Sequence, residues 1–522
     1  MKKAIKKLMA ALLVVAMVCA MAIPAFADDT KENIQDHNSF SGFQIFKGDV
    51  EGNKISNADW GESITDRNKF LTDLKADATL GKLFNEATDV QDVLAVIGTW
   101  HDSDDNSIAF ARFVCKYLYP NANANPKPFA EGNHSLTFSQ AGYYLIVDTT
   151  YFNPGDDYHA YNSFMLKVTQ ANWVFDVTPK VEKPSVKKEV YDNPDGTSNG
   201  AGFGSSADHA INEKFKFKLT ATLPASDAHV YDYYDKYTVI FDDTLSAGIT
   251  FDDLDTVVIT QNGNNSDITA KHYKLVKHDE SSFSLGIDDV KTCASGLNLN
   301  DGATITVTYT AHLNDKAFVN TTSGSSTENK NSVQLQYSNN PRDTESFWGH
   351  TPKSEVCVYT YQLNNTKRAK SADGAPLKDV GFCLYSDEAC AHKVELYKEG
   401  DFYFPIKDAT DKKAVEEMYS DKDGKFNIKG LDAGTYYLKE TTPPAGYSAC
   451  DVTPVIIKAN HTEERVDLDG STLSTTIINN KAGGITLPST GGIGTTLFYV
   501  IGGGLMVAAA VLLITKKRME NK

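Results

Sequence analysis

Apolar and polar residues alternate along most of this chain. Between about residues 182 and 352 the segments "KFKFKLTATL", "YTVIFDD", "TVVITQ", "ATITVTYTAHL" and "NSVQLQY" each carry a period of two. That period belongs to strands with one face buried. A second series follows from 353 to 481: "VCVYTYQL", "VGFCLY", "KFNIKGL", "GTYYLKE", "PVIIKA" and "TTIIN". Glycines at 424, 430, 434 and 446 punctuate its turns. Short strands without a sustained helical pattern predict a β-sandwich in each block. The block before them, residues 28–181, reads differently. "RNKFLTDLKADATLGKLFNEATDVQDVLAVIGTW" has helical spacing, with Phe70, Leu71, Leu74 and Leu80 apolar among charges. Strand-like runs flank it, "FSGFQIFKGDV" before and "GYYLIVDTTYF" and "SFMLKVTQANWVFDV" after. It predicts a β-rich domain with a helical insertion, joined to the next block by the Pro/Lys linker "TPKVEKPS".

The two ends change the picture. Lys2, Lys3, Lys6 and Lys7 precede an apolar run from Leu8 to Met21, and Ala25-Phe26-Ala27 gives a small-residue cleavage site. Residues 1–27 therefore read as a secretory signal cut after Ala27. Residues 482–522 read as a second processing segment. "LPSTGG" precedes an apolar run, Leu497 to Ile514, long enough to cross a bilayer. Lys516, Lys517, Arg518 and Lys522 follow, which places the tail inside and the body outside.

The formal charge is −17 and grows more negative once the signal lysines leave. A strongly acidic exterior argues against nucleic-acid binding. Six cysteines lie beyond the signal, at 115, 293, 357, 383, 390 and 450. Their spacing is sparse and irregular, so no disulfide framework is expected, although one or two bridges stay open.

Three polar residues in the 182–352 block continue apolar strand faces. Lys188 is in phase with Val186 and Val190, Asp243 with Val239 and Phe241, and Asn331 with Val333 and Leu335. The 353–481 block repeats the set: Lys367 with Leu363, Glu440 with Leu438, and Asn479 with Ile477. A lone inward lysine is costly unless neutralised or paired. Burial lowers a lysine pKa and raises that of an acid. A neutral amine is a nucleophile, and a protonated acid polarises an amide carbonyl. The combination permits attack of the lysine Nζ on the asparagine Cγ with loss of ammonia. Asp242 and Lys187 adjoin Asp243 and Lys188, and a bulge would exchange them.

These residues carry a family resemblance. The Leu487-Pro488-Ser489-Thr490-Gly491 pentamer, with the span and basic tail behind it, resembles the LPxTG cell-wall sorting signal. "GKFNIKGLDAGTYYLKETTPPAGY" resembles a Cna-B-like domain in which Glu440 is the matching acid. "FDDTLSAGITF" and "NKNSVQLQYSNNP" resemble an isopeptide-forming middle domain, and "FQIFKGDVEGNKISNADWG" an N-terminal pilin domain. Over nearly all its mature length the chain resembles the sortase-anchored major (backbone) pilins of Gram-positive bacteria.

The resemblance implies a mainly β protein of tandem immunoglobulin-like (Cna-type) sandwiches. Its parts are a signal peptide (1–27), an N-terminal pilin domain ending in a pilin-motif linker (28–181), an isopeptide-forming sandwich (182–352), a Cna-B-like sandwich (353–481) and a sorting signal with transmembrane segment (482–522). It implies Lys188–Asn331 and Lys367–Asn479 crosslinks promoted by Asp243 and Glu440. It also implies sortase cleavage between Thr490 and Gly491 and transfer of the acyl group to a lysine of the next subunit. Lys180, in Val177-Thr178-Pro179-Lys180 after Trp173, stands in the matching motif. Thr178 and Val181 depart from the family's Tyr and Asn, and Lys183 and Lys187 compete. The implied partners are pilin-specific and housekeeping sortases, identical subunits head to tail, minor pilins, peptidoglycan and a host or matrix ligand. The implied site is the cell wall or pilus of a Gram-positive surface. The alternative is a wall-anchored adhesin, or a minor or basal pilin, that forms no shaft.

Other signals fall away. "HDSDDNS", His101 to Ser107, begins like a calcium loop, but Ser107 and Phe113 stand where an EF-hand needs Gly and Glu. A looser oxygen-ligand site there stays open. Histidines show no zinc spacing, and no nucleotide fingerprint appears. No cofactor, metal or enzymatic turnover of an external substrate is expected.

Overall fold

The computed structural model describes residues 39–479, apart from 52–53, 101–103, 121–123, 134, 150–162, 177–182, 195–201, 227–228, 280, 326–328, 340–347 and 471–472. Ala27, Lys180, the sorting pentamer Leu487–Gly491 and the apolar segment Leu497–Ile514 lie outside the described residues. Among the described residues no helix is long and apolar enough to cross a membrane. No disulfide joins the described cysteines.

The first block is a five-stranded sheet centred on Ser39–Glu51, which pairs with Lys54–Trp60, Ala130–Asn133 and Gly142–Asp148. Three helices cover one face: Arg67–Ala76, Val90–Ile97 and Asp105–Leu118. The first two begin where the sequence supplies a cap. Asp66 accepts from the Lys69 amide, and Asp89 from those of Gln91 and Asp92. Phe70, Leu74, Phe110 and Val114 meet Phe43, Ile45 and Leu145 of the sheet in one core. The third helix was not expected. Asp104 and Asp105, from the stretch that begins like a calcium loop, are its N-cap and first residue, where acidic side chains favour the helix dipole.

The middle block is a sandwich of a seven-stranded and a six-stranded sheet. Its strands fall where alternation put them: Lys214–Leu223, Val239–Leu245, Ala303–Leu313 and Lys330–Ser338. The third block sets a five-stranded sheet, containing Tyr361–Ala369 and Ser474–Asn479, against a four-stranded one containing Gly381–Tyr385 and Gly434–Thr442. A mainly β architecture of tandem sandwiches is thus present.

"VCVYTYQL" differs from its reading as one strand. It is two, Ser354–Tyr359 and Tyr361–Ala369. The first pairs with Lys330–Ser338 of the middle sheet. Val356 and Val358 enter the middle core while Cys357 and Tyr359 enter the third. A strand buried on both faces loses its alternation, which hides the junction from a periodicity argument.

Candidate functional site

Ser185–Asp192 runs in the six-stranded sheet, and its burial alternates so that Lys188 and Val190 face inward. Val239–Leu245 and Lys330–Ser338 are neighbours in the facing sheet. Asp243 opposes Val333 and Asn331 opposes Leu245, so the acid and the amide sit diagonally on one inner face. Lys188 crosses the core to meet them. Its Nζ contacts Asp243 Oδ2 and lies 3.0 Å from the Tyr309 hydroxyl. That hydroxyl donates to Asp243 Oδ1 at 3.2 Å and accepts from Asn331 Nδ2 at 2.6 Å. All four side chains are buried, at 2 % exposure or less. The Phe217 and Tyr309 rings lie 5.3 and 5.4 Å from the amine.

This setting works on protonation as well as position. Desolvation pulls the Lys188 amine down to about 8, against the opposing pull of Asp243. Desolvation likewise raises the Asp243 carboxyl, with Lys188 and Tyr309 opposing it. Both shifts favour the neutral amine beside a neutral acid. Lys187 and Asp242, the neighbours a bulge would have substituted, lie outside this cluster. Lys187 pairs with Glu189 at 2.8 Å near the surface, and Asp242 accepts from Ser284 at 2.6 Å and from Gln336.

The third block assembles a second set with different topology. Lys367 and Asn479 come from adjacent parallel strands, Tyr361–Ala369 and Ser474–Asn479, with Ala369 opposite Asn479. Glu440 reaches them from the facing Gly434–Thr442 strand. Its Oε2 is 3.4 Å from Lys367 Nζ, and its Oε1 accepts from Asn479 Nδ2 at 2.9 Å. The loop after the strand closes the site. The Cys450 amide donates to Glu440 Oε2 at 3.0 Å, and the Ser448 carbonyl accepts from Asn479 Nδ2 at 2.6 Å. The Cys450 Sγ is 3.7 Å from the Lys367 amine, and its thiol is pushed up to about 12, chiefly by burial. The Phe382 ring lies 5.5 Å from that amine.

One detail recurs. Asn331 Oδ1 and Asn479 Oδ1 are both buried without a hydrogen-bond partner. A buried carbonyl oxygen left unpaired is expensive. A half-turn of either amide exchanges its oxygen and nitrogen. For Asn331 it would set Oδ1 against the Tyr309 hydroxyl, where a protonated Asp243 supplies the missing hydrogen through the phenol, whereas the Ser448 carbonyl, which accepts from Asn479 Nδ2, holds that amide as it stands.

Tyr309 and Cys450 were not singled out in the sequence. Tyr309 is one more inward aromatic of "ATITVTYTAHL", two strands from Lys188, and only its pairing with Phe217 on the strand between brings it to the amine. An inward hydroxyl on a strand of the lysine's own sheet is the signal that would have marked it.

Comparison with known proteins adds the following. Residues 364–472 match the family model described as SpaA, a prealbumin-like fold domain. Residues 479–521 match the LPXTG cell wall anchor motif. The chain carries a SpaA-type domain and a cell-wall anchor. It is a cell-wall-anchored surface protein of the Gram-positive kind, and the two matches support the resemblance to sortase-anchored pilins. Among curated proteins, serine-aspartate repeat-containing protein C of Staphylococcus aureus is 28% identical over 190 residues, 35% of this chain. This anchored protein spans only 19% of that relative's length. Among solved structures, the T6 backbone pilin of Streptococcus pyogenes aligns with 86% of this chain and 97% of its own, at 17% identity and TM-score 0.48. The pilus 2b backbone protein of group B streptococcus aligns with 52% of this chain and 95% of its own, at 23% identity and TM-score 0.38.

Proposed function

We propose that this protein is the shaft subunit of a covalent pilus, polymerised and anchored to the wall by sortase and stapled internally by two self-formed isopeptide bonds. The observation that carries the reading is the duplicated site. Two sandwiches of different strand order each bury a lysine, an acid and an asparagine together, and structural burial alone gives no reason for that trio twice. In each, the lysine Nζ attacks the asparagine Cγ and a carbon–nitrogen bond forms. The Nδ2 group leaves as ammonia after the acid returns the amine's proton to it. Asp243 serves Lys188 and Asn331, and Glu440 serves Lys367 and Asn479. Fixed proximity inside a packed core supplies much of the rate. The protein turns over no external substrate.

At the ends, sortase cleaves Thr490–Gly491 in the Leu487-Pro488-Ser489-Thr490-Gly491 peptide. Lys180 of the next subunit takes the acyl group, which builds the shaft head to tail until a final transfer to peptidoglycan. A blot of enzymatically released wall material, run under denaturing conditions, tests this. Wild type gives a ladder of resistant multimers, and Lys180→Ala collapses it to monomer. A ladder that survives moves the acceptor to Lys183 or Lys187. Monomer alone in wild type, with its sortase present, overturns the shaft reading in favour of an anchored adhesin or minor pilin.

A further inference from the structure

A second buried polar cluster lies where the middle and third sandwiches meet. Asp192 ends the strand Ser185–Asp192, Asp208 lies on Ser206–Asp208, and His461 ends Ala459–His461. All three are buried. One oxygen or nitrogen from each lies within 4.8 Å of the others. His461 Nε2 is 3.5 Å from Asp192 Oδ2 and 3.9 Å from Asp208 Oδ2. Asp208 is fully buried, and its carboxyl lies against that of Asp432, with no donor on its Oδ1 unless the two acids share a proton. Buried carboxylates need compensation, and the one imidazole beside two of them is insufficient. Buried Asp432 adds another acid nearby, grouped with His209 and Glu213. That neighbouring group is already engaged: Glu213 pairs with Lys407 at 3.1 Å, and His209 Nε2 meets the Tyr191 carbonyl at 2.7 Å.

The surroundings of the trio are built to orient it. His461 Nδ1 meets Ser206 Oγ at 2.8 Å, which leaves Nε2 turned toward the carboxylates. The Tyr361 hydroxyl donates to Asp208 Oδ2 at 2.8 Å, and the Asp208 amide donates to Asp192 Oδ1 at 3.2 Å. Partners of this kind fix the tautomer and the direction of metal-binding side chains.

We propose that Asp192, Asp208 and His461 form a divalent-cation site between the two sandwiches, suited to zinc. Two carboxylates and an imidazole are a donor set that zinc accepts. The acids come from the middle sandwich and the imidazole from the third, so an ion here clamps the junction. Sequence spacing gave no metal site because the ligands lie far apart along the chain.

The test uses the purified mature chain, stripped with chelator and equilibrated with zinc chloride. The expected result is one zinc retained per chain and a higher thermal midpoint with zinc than without. His461→Ala and Asp208→Asn each weaken retention by about 100-fold or more. The asparagine variant keeps an acceptor for Tyr361, so a folded protein that has lost its zinc remains readable by circular dichroism. No retained zinc, or equal retention in both folded variants, overturns the proposal.

Discussion

A lysine amine is ordinarily a solvated cation, and burial has drawn Lys188 away from that state. Lys188 sits among aromatic rings with one carboxyl and one phenol for company. The reactive pair, neutral amine with neutral acid, holds a single proton between its members, so its population is flat between the two macroscopic pKa values. Bond formation in the middle sandwich should therefore fall as pH rises past about 8, where Lys188 and Asp243 lose their last shared proton. It should also fall in acid, below the raised value of Asp243, where the amine is held charged. A refolding time course of ammonia loss across pH reads both limbs. Tyr309 touches the amine, the acid and the amide at once. Tyr309→Phe keeps the ring and removes the relay, and should slow the same time course by about 100-fold. A rate unchanged in that variant would reduce Tyr309 to packing. Six polar residues of the two sites were legible because period two fixes which face a side chain takes. Tyr309 and Cys450 were not, because their part depends on which strands and loops lie across the core.

At the scale of elements, local pattern predicted well wherever one face meets water. "KFKFKLTATL" and "ATITVTYTAHL" are strands over their full length, Lys214–Leu223 and Ala303–Leu313. It failed at Ser354–Tyr359, whose two faces feed two cores, and at Asp105–Leu118, whose acidic start looked like a loop. The same junction contains a glycine with a specific duty. Gly430 has φ +78°, and a Cβ there would meet Ile211 side-chain carbons at 2.6 to 2.8 Å. Its carbonyl accepts from the Ile211 amide at 2.9 Å, tying the third block to the middle one. Gly430→Ala should cost about 1 to 3 kcal/mol, seen as a lower denaturant midpoint. An unchanged midpoint would mean that the junction has slack the packing denies.

For the whole molecule, the two proposed bonds act as chain-length staples. Each would close a loop of more than a hundred residues, which by the disulfide analogy stabilises by about 4 to 5 kcal/mol. Asp243→Ala should lose at least that much in denaturant unfolding, since it also leaves Lys188 buried without its acid. The bond in the third block would join the neighbouring strands Tyr361–Ala369 and Ser474–Asn479, the first and last of that sandwich. Force entering at one end would leave at the other without unravelling what lies between. A surface protein drawn out between wall and neighbour benefits from that limit on extension, and it needs no disulfide to obtain it. The intact mass of the purified mature chain tests this account most directly. The mass should fall short of the sequence mass by two ammonia molecules, by one in either Asp243→Ala or Glu440→Ala, and by none in the double variant. A wild-type chain at its full sequence mass would contradict the account.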